Sequence, residues 1–297
     1  MINGIVNVYK ESGFTSFDVV AKMRGIFHQK KIGHTGTLDP DAQGVLPVCL
    51  GRATKVCDLL TDKDKEYEAV MLLGMTTDTQ DVSGTVLSRQ EVTASEDAVK
   101  TVITSFEGEY MQIPPMYSAL KVNGQKLCDL ARKGIEVERK ARPVTIHKIE
   151  ILEIDLPRVR MKVECSKGTY IRTLCQDIGE KLGCGACMES LLRTRVSEFR
   201  LDGALRLQQI EELVQREDFS FVQSVDSVFM QYDSAQVMEI AKKMVENGNR
   251  IPKEMICNMC QEKEQKCIRL YDWENRFIGL YAYMPQEQDF KPIKLFI

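Results

Sequence analysis

The chain has 297 residues, 43% of them hydrophobic and 28% charged, with a formal net charge of −3 at pH 7. This balance is typical of a globular protein large enough for one big domain and one small one. No stretch approaches the ~20 consecutive apolar residues that span a bilayer, and the N-terminal segment lacks a basic region followed by a long apolar core. We therefore predict a cytoplasmic protein with no membrane partner.

The N-terminal half contains strands and helices without a regular alternation. Alternating apolar and polar residues predict a strand over 2–9, and Thr15 followed by Asp18 predicts the capped start of a helix that runs to about 29. Glycines and a proline predict an irregular loop over 30–44. The next predicted elements are a strand at 45–51, a short helix at 52–61, a strand at 66–74, a turn at 78–86 and a helix at 95–106.

The second half begins with a segment of different character, residues 112–143, which is rich in proline, glycine, lysine and arginine. We predict that it forms a projecting, partly helical arm with a basic surface. Two strands are predicted within 144–165. A helix follows from about 171 to 181, ending at Gly183, and the segment 182–194 is also predicted to be helical.

From about residue 231 the pattern is that of a small β-rich domain. One helix is predicted at about 234–247, and the predicted strands are 266–272, 277–283 and 291–297. The chain therefore divides into domains 1–230 and 231–297. Because strands and helices do not alternate as in doubly wound proteins, the predicted fold class is α+β, with a mixed or mostly antiparallel sheet.

The charged residues are clustered along the sequence. A net charge of −3 argues against a surface that is basic throughout, but one basic face is enough to bind nucleic acid. The basic clusters are Lys30–Lys31, Arg132–Lys133, residues 139–142, and Arg193 with Arg195 and Arg200. Such a run is usually a solvated face, so it gains meaning only where it surrounds a catalytic motif.

The ten cysteines are predicted to be reduced thiols, because a chain without an export signal rarely builds a disulfide framework. Two Cys-x-x-Cys pairs have zinc-like spacing, Cys184 with Cys187 and Cys257 with Cys260. The first pair falls in a turn that bounds a predicted helix. The second has Cys267 nearby but no fourth ligand, whereas four-cysteine zinc sites normally close locally. We predict no metal site.

Asp39 lies in the segment GHTGTLDPDAQG, residues 33–44, which leads into a predicted strand. Its three glycines allow a tight backbone turn and the close approach of a ligand, and Pro40 restricts the chain after Asp39. Asp-Pro and Asp-x-x-Gly are also ordinary turn sequences, so the segment by itself fits either a turn or a catalytic loop. It is not a P-loop, because no Gly-Lys-Ser/Thr follows the glycines.

Five segments, in this order, resemble the TruB family, the tRNA pseudouridine-55 synthases. They are GIVNVYKESGFTSFD (4–18), GHTGTLDPDAQGVLPVCLGRATK (33–55), DKEYEAVMLLGMTTDTQDVSG (64–84), PPMYSALKVNGQKLCDLARKG (114–134) and CSKGTYIRTLCQDIGEKLGCGACMESLLRT (165–194). The resemblance covers about residues 2–229. It implies the pseudouridine synthase fold, a central sheet flanked by helices. Residues 231–297 resemble the family's PUA-like RNA-binding tail only weakly.

The resemblance implies an isomerase that converts uridine 55 in the T-loop of tRNA to pseudouridine. The N1–C1′ bond breaks, uracil rotates, and C5 bonds to C1′; nothing is oxidised or added, so no cofactor is required. The target base is stacked in the T-arm, and flipping it out costs on the order of a few kcal/mol. Phosphate contacts from the basic arm are expected to offset that cost. The expected partner is the tRNA T-arm, and the expected state is a monomer.

Single residues take their roles from the resemblance. Asp39 matches the catalytic aspartate, a carboxylate at neutral pH, and both attack on C1′ and abstraction of a sugar proton stay open. Arg172 matches the arginine that pairs with this aspartate, and Tyr67 matches the tyrosine that stacks on the base. The residues assigned to substrate binding are His34, Asp81, Leu191, Lys10, Lys121, Lys126, Arg132, Lys133 and Arg142.

Taken one at a time, these residues also have ordinary structural interpretations. A tyrosine in a strand, such as Tyr67, and a leucine in a helix, such as Leu191, are typical of a core. Arg172 is typical of a helix surface, and Asp81 is typical of a turn cap.

The chain departs from the family's usual pattern at three positions. Glu11 follows Lys10 where proline is usual, which loosens a turn. Cys187 stands where histidine is common, and Leu192 stands where a second arginine is common. We therefore expect one phosphate contact to be missing.

Two other functions remain open. A non-catalytic RNA-binding or tRNA-folding protein could use the same scaffold, although it would have no use for a buried carboxylate paired with an arginine. A related synthase that acts on other RNA through a guide would need partner proteins. The bacterial-type arm and the short tail favour an enzyme that works without a guide.

Overall fold

The computed structural model describes residues 1–258 and 267–297. Its strands, in chain order, are β1 (Gly4–Lys10), β2 (Ile32–His34), β3 (Gln43–Leu50), β4 (Lys65–Leu73), β5 (Met75–Thr77), β6 (Val86–Arg89), β7 (Gly108–Gln112), β8 (Lys121–Val122), β9 (Gln125–Lys126), β10 (Arg142–Asp155), β11 (Arg158–Cys165), β12 (Ala186–Val196), β13 (Phe199–Arg200), β14 (Asp233–Val237), β15 (Ile251–Pro252), β16 (Ile256–Cys257), β17 (Cys267–Tyr271), β18 (Phe277–Met284) and β19 (Asp289–Leu295). The helices are α1 (Ser16–Ile26), α2 (Cys57–Thr61), α3 (Glu96–Thr104), α4 (Leu127–Ala131), α5 (Ile171–Lys181), α6 (Leu207–Gln215) and α7 (Lys242–Glu246).

A nine-stranded sheet organises the first 200 residues. Its order is β1-β3-β12-β4-β11-β10-β7, with β2 added beside β3 and β13 beside β12. The β12–β3 pair is parallel, and the other neighbours are antiparallel. The predicted α+β class with a mixed, mostly antiparallel central sheet is therefore confirmed.

This sheet contributes to two cores that contain different helices. In one, Met71 and Met161 from the sheet pack with Val99 of α3 and Leu174 of α5. In the other, Val8 and Leu46 pack with Val20 of α1 and Ile210 of α6. Burying apolar side chains between the sheet and these helices is the main stabilising contribution to such a fold.

Local sequence signals account well for several elements. The predicted capping box of α1 is formed, since Thr15 Oγ1 accepts from Asp18 N at 3.0 Å and Asp18 Oδ2 accepts from Thr15 N at 2.9 Å. Helix α5 has the predicted bounds, and Gly183 follows it with a φ of +77°, a conformation that favours glycine. In β4, alternate residues are buried, as the period of a strand requires.

Three predicted elements differ from the structure. The predicted loop 30–44 contains the short strand β2, which pairs with β3. The predicted helix 182–194 is wrong, because this segment is mostly the central strand β12, paired with β4 along its whole length. The single helix at 234–247 is also wrong: β14 comes first, and α7 only begins at Lys242.

The predicted arm segment leaves the sheet and returns to it between β7 and β10. These strands pair so that Gln112 lies opposite Arg142. Between them lie the hairpin β8–β9 and the short helix α4. The backbone of this segment also contacts α5, since Tyr117 O accepts a hydrogen bond from Arg172.

The C-terminal strands form a separate six-stranded sheet of order β15-β19-β18-β17-β14-β16. Leu280 of β18 and Phe296, directly after β19, share a core with Ile5 and Val45 of the first sheet. The second sheet is therefore packed against the first through apolar side chains. Within the described residues, no helix is both long and apolar enough to cross a membrane.

Candidate active site

Asp39 lies in the loop that joins β2 to β3, and local hydrogen bonds fix the backbone of this loop. Ser16 Oγ accepts from Leu38 N at 2.9 Å and lies 3.3 Å from Leu38 O. Ala42 N donates to Asp39 O at 3.2 Å. The loop is thus held immediately before and after Asp39, while the Asp39 side chain keeps 37% of its surface exposed.

Arg172, the second residue of α5, forms a bidentate ion pair with Asp39. Its Nε lies 2.9 Å from Oδ2 and its Nη2 lies 3.2 Å from Oδ1. The same guanidinium donates to Thr79 O and to Tyr117 O, both at 2.8 Å. With only 6% of the side chain exposed and every nitrogen engaged, Arg172 holds the carboxylate in one orientation.

A second carboxylate, Asp81, shares the same arginine. Its Oδ2 lies 3.5 Å from Arg172 Nη1. Its Oδ1 accepts from Thr79 Oγ1 at 2.7 Å and from the Ser83 hydroxyl at 2.6 Å. Asp81 is therefore both the turn cap that its sequence suggests and a member of the charged site. Asp39, Asp81 and Arg172 together therefore carry a formal charge of −1.

The pKa of Asp39 is raised above its ordinary value. Burial is the largest cause, and the negative charge of Asp81 adds to it, whereas the charge and hydrogen bonds of Arg172 act in the opposite direction. Removing a carboxylate from water favours its neutral form. The site therefore holds Asp39 closer to protonation than a surface aspartate, and Arg172 is the group that keeps it ionised.

Tyr67 and Leu191 lie on neighbouring strands next to this group. Tyr67 on β4 is opposite Arg193 on β12, and Leu191 is opposite Ala69. Tyr67 is 8% exposed and Leu191 9%, and both contribute to the same core. Burial raises the pKa of Tyr67 above its ordinary value, although Arg193 opposes this. The phenol is therefore neutral at physiological pH and able to donate a hydrogen bond.

His34 is neutral and tied to the Asp39 loop. Its Nδ1 accepts from Gly36 N at 3.3 Å. Burial lowers the pKa of His34, and the positive charge of Arg193 lowers it further. The imidazole can therefore contribute a hydrogen bond or apolar contact, but no positive charge.

Lys10 does not occupy the position expected of a substrate-binding lysine. Its side chain is fully buried, and its Nζ donates to Phe14 O at 2.6 Å, to Pro40 O at 2.8 Å and to Glu11 O at 3.0 Å. Burial lowers the pKa of Lys10 to about 8. The ammonium group supports the backbone next to Asp39, so the predicted substrate contact is corrected to a role inside the loop.

The structure also corrects the interpretation of Arg193 as part of a solvated basic face. It is 1% exposed, with Nε donating to Val45 O at 2.7 Å and Nη2 to Gly36 O at 3.3 Å. The sequence contained a usable signal, because a strand would have put Arg193 on the same face as the apolar Leu191. Interpreting the segment as a helix concealed it. Arg195, by contrast, pairs with Glu164 at 2.5 Å.

The basic residues predicted to clamp RNA are exposed on the arm and at its base. Lys121 and Lys126 lie opposite each other in the β8–β9 hairpin. Arg132 forms an exposed ion pair with Asp129 at 3.6 Å. The exposed members of the predicted set are Lys121, Lys126, Arg132, Lys133 and Arg142. Two lysines opposite each other repel, which is tolerable in water and favourable once a phosphate lies between them.

The base of the arm is joined to the start of α5 through Gln112. Its Oε1 accepts from Tyr170 N at 2.8 Å and its Nε2 donates to Tyr170 O at 3.0 Å. Tyr170 directly precedes α5, and Arg172 also bonds Tyr117 O in the arm. Three hydrogen bonds therefore link the arm to α5 and to Arg172.

A cavity of about 310 Å³ lies next to this junction. Gln112, Arg142, Lys167 and Tyr170 are among its lining residues, whereas Asp39 and Arg172 are not. Lys167 is paired with Asp62 at 3.0 Å. The cavity therefore flanks the Asp39–Arg172 pair and does not contain it.

Metal ligation has no support in the described part of the chain. Within residues 1–258 and 267–297, no group of three or more His, Cys, Asp or Glu side chains is placed to hold a metal ion. Cys184 and Cys187 are free, buried thiols, and Cys257 and Cys267 are free and partly buried. Cys260 lies outside the described residues.

Two family models match the chain. The TruB family pseudouridylate synthase N-terminal domain matches residues 24–171, and the tRNA pseudouridylate synthase B C-terminal domain matches residues 172–235. The first match contains Asp39, Tyr67 and Asp81, and the second begins at Arg172. The charged group is thus assembled from both matched regions.

Several relatives that align over nearly their whole length share one name. The chain is 54% identical to tRNA pseudouridine synthase B of Lachnoclostridium phytofermentans over 100% of both chains. It is 46% identical to the protein so named in Alkaliphilus oremlandii, over 99% of this chain and 97% of the relative. It is also 46% identical to that of Clostridium acetobutylicum, over 99% of each.

Solved structures of similar fold come from ribonucleoprotein assemblies. The crystal structure of a Cbf5-Nop10-Gar1 complex contains a chain that is 27% identical, with a TM-score of 0.72, covering 99% of this chain and 85% of that one. An H/ACA ribonucleoprotein bound to a substrate RNA containing 2′-deoxyuridine contains a chain that is 26% identical with a TM-score of 0.71, at the same coverage.

Proposed function

The chain belongs to the TruB family of pseudouridine synthases, and on this premise we propose that it converts uridine 55 in the T-loop of tRNA to pseudouridine. The resemblance inferred from five sequence segments is confirmed by the family models and the full-length relatives. The observation that carries the proposal is the bidentate Asp39–Arg172 pair. In this pair a partly exposed carboxylate is held by a buried cation, which supports a role for Asp39 in acting on a flipped-out nucleotide.

In the proposed reaction Asp39 acts as a carboxylate on the ribose of the flipped uridine. It bonds to C1′, or it removes a sugar proton to leave a glycal, and the N1–C1′ bonding electrons depart with uracil in either case. Uracil then turns and C5 bonds to C1′, which displaces the Asp39 carboxylate in the first route, whereas in the second Asp39 returns the removed proton to the sugar. The C5 proton then leaves and N1 gains a proton. Atoms and charges balance without any further reactant, so the proposed reaction requires no cofactor.

The residues around Asp39 have separate tasks in this proposal. Arg172 orients the carboxylate and keeps it charged. Tyr67 stacks its ring on the uracil and offers a neutral hydroxyl, Leu191 packs beside the base, and His34 fills space near the flipped nucleotide. Asp81 holds Arg172 from its other side. Pre-organisation of this kind avoids reorientation costs during the reaction.

The arm supplies the contacts to tRNA in this proposal. Lys121, Lys126, Arg132, Lys133 and Arg142 are exposed and free to approach phosphates. Counterion release on phosphate binding supplies the free energy that offsets unstacking of the target base. A net charge of −3 does not oppose this, because the arm presents a local basic surface.

A guide-dependent synthase is the second candidate, favoured by the similarity to chains from ribonucleoprotein complexes. Those chains are 26–27% identical, whereas relatives named tRNA pseudouridine synthase B are 46–54% identical over nearly their whole length. We therefore propose direct recognition of tRNA without a guide. The monomeric state and the cytoplasmic location stay predictions.

The test uses the purified chain, an unmodified tRNA transcript and no added cofactor. Pseudouridine is mapped by carbodiimide treatment and reverse transcription, with a transcript carrying cytidine at position 55 as the substrate control. A single new stop immediately 3′ of position 55 is the expected result, and it disappears with Asp39→Asn protein. A folded wild-type protein that binds the transcript and produces no stop would support the non-catalytic RNA-binding alternative.

A further inference from the structure

Arg193 is the largest fully buried side chain of the described residues. Its guanidinium bonds to two backbone carbonyls and contacts a phenol, and it forms no ion pair with a carboxylate of residues 1–258 or 267–297. Burying a cation without an anionic partner is costly. A fold that needed only packing at this position would be better served by an apolar residue, so the location of Arg193 calls for a functional explanation.

The three contacts of Arg193 connect the two parts of the site. Gly36 O belongs to the loop that carries Asp39, and Val45 O belongs to β3, where that loop ends. The third neighbour is Tyr67, which lies opposite Arg193 in the β12–β4 pair and whose hydroxyl interacts electrostatically with the guanidinium. One side chain therefore sets the distance between the Asp39 loop and the ring of Tyr67.

The approach of the two chains is close enough to make this arrangement rigid. Arg193 pairs with Gly44 in the parallel β12–β3 ladder. A Cβ atom at Gly44 would lie 2.2 Å from Arg193 O, and Gly44 has a φ of +107°. Only glycine fits both conditions. The loop after Asp39 is therefore locked against the backbone of Arg193, as well as against its side chain.

The chemistry of the contact also fixes the direction of a proton. A guanidinium donates hydrogen bonds and has no acceptor. Facing this guanidinium, the oxygen of Tyr67 can act only as an acceptor, which leaves the phenolic hydrogen free to point elsewhere. Tyr67 is thus presented to a neighbouring group as a donor with its ring in a fixed plane.

We propose that Arg193 is a positioning residue of the isomerisation, which holds the ring and the hydroxyl of Tyr67 in register with Asp39 without touching the substrate. This inference rests on the proposed function. It assigns the effect of Arg193 on the reaction to Tyr67, so removal of the Tyr67 hydroxyl must cancel most of that effect.

The experiment is a double-mutant cycle between Arg193→Lys and Tyr67→Phe, measured by single-turnover pseudouridine formation with enzyme in excess. Arg193→Lys is expected to lower the rate roughly 10- to 100-fold, as a misplaced catalytic group does, with tRNA affinity within about threefold of wild type. In Tyr67→Phe protein the same change is expected to cost under about threefold. The matched control is Arg195→Lys, two residues away on β12, which should leave the rate within about twofold.

Folding is checked by circular dichroism and thermal unfolding, and Arg193→Gln serves as a second variant that keeps donor groups without the charge. Equal rate losses in both Tyr67 backgrounds, or a folded Arg193→Lys protein with the wild-type rate, would overturn the proposal. If neither Arg193 variant folds while Arg195→Lys does, Arg193 serves stability and the proposal also fails. Inactive wild-type protein would instead contradict the proposed function itself.

Discussion

Replacing Arg172 with lysine separates the geometry of the Asp39–Arg172 ion pair from its charge. Arg172 donates to both oxygens of Asp39, at 2.9 and 3.2 Å, and to the carbonyls of Thr79 and Tyr117, each at 2.8 Å. Lysine keeps the positive charge but has a single nitrogen. It cannot form a bidentate pair with a carboxylate and also donate to two carbonyls. The substitution therefore removes at least one charge-assisted hydrogen bond to Asp39.

The size of the effect follows from the bonds that are lost. A hydrogen bond to a charged group contributes about 1.5–3 kcal/mol, which corresponds to a rate decrease of roughly 10- to 150-fold if the contact is needed in the transition state. The freed carbonyls of Thr79 and Tyr117 are expected to lower the free energy of unfolding by about 1–3 kcal/mol.

The assay is single-turnover formation of pseudouridine in an unmodified transcript, measured across pH and accompanied by thermal unfolding. Arg172→Gln is the matched variant, because it also removes the charge. In the proposed mechanism Asp39 acts as a carboxylate, so the rate is expected to fall as pH drops through its pKa. Without the cation that pKa is higher, and the acid limb of Arg172→Gln should lie at higher pH than that of Arg172→Lys. A folded Arg172→Lys enzyme within about threefold of the wild-type rate would refute the reasoning.

Three further predictions concern the remaining charges. Asp81→Asn should move the acid limb of the rate to lower pH, because the charge of Asp81 contributes to the raised pKa of Asp39; an unmoved limb, with the protein folded, would contradict this. Asp39→Asn should abolish product formation while filter binding of tRNA stays close to wild type, and substantial turnover would remove Asp39 from its proposed role. Replacing both Lys121 and Lys126 with alanine should weaken tRNA binding, reduce the salt slope of the affinity by about 2 and leave the single-turnover rate at saturation unchanged. A wild-type salt slope would exclude phosphate contacts at this hairpin.

The sequence determined the features that depend on near neighbours or on ordered motifs. Five segments were sufficient to identify the family and to single out Asp39, Tyr67 and Arg172. The capping box of α1 and the glycine after α5 each mark a helix end, and each signal involves only residues a few positions apart in the chain. Such signals are local, so they can be recognised before the chain is folded.

The sequence was misleading where local propensity and tertiary pairing disagree. Residues 186–196 contain several good helix formers, yet they form the central strand between β3 and β4. Pairing on both sides satisfies the backbone of this segment, and two glycines with positive φ, Gly183 and Gly185, turn the chain into it. Pairing with β3 and β4, and not local propensity, therefore determines that this segment is a strand, as is common for interior strands.

Only the tertiary structure decided how the charges of the site are arranged. Arg172 and Asp39 are 133 residues apart, and Arg193 and Val45 are 148 apart. From the sequence, Lys10 was assigned to substrate binding and Arg193 to a basic cluster, whereas the structure buries both against the backbone of the Asp39 loop. The physical reason is that burial and hydrogen-bond partners are properties of the packed layers. A basic side chain becomes an internal support once the sheet has closed around it and backbone carbonyls have replaced water.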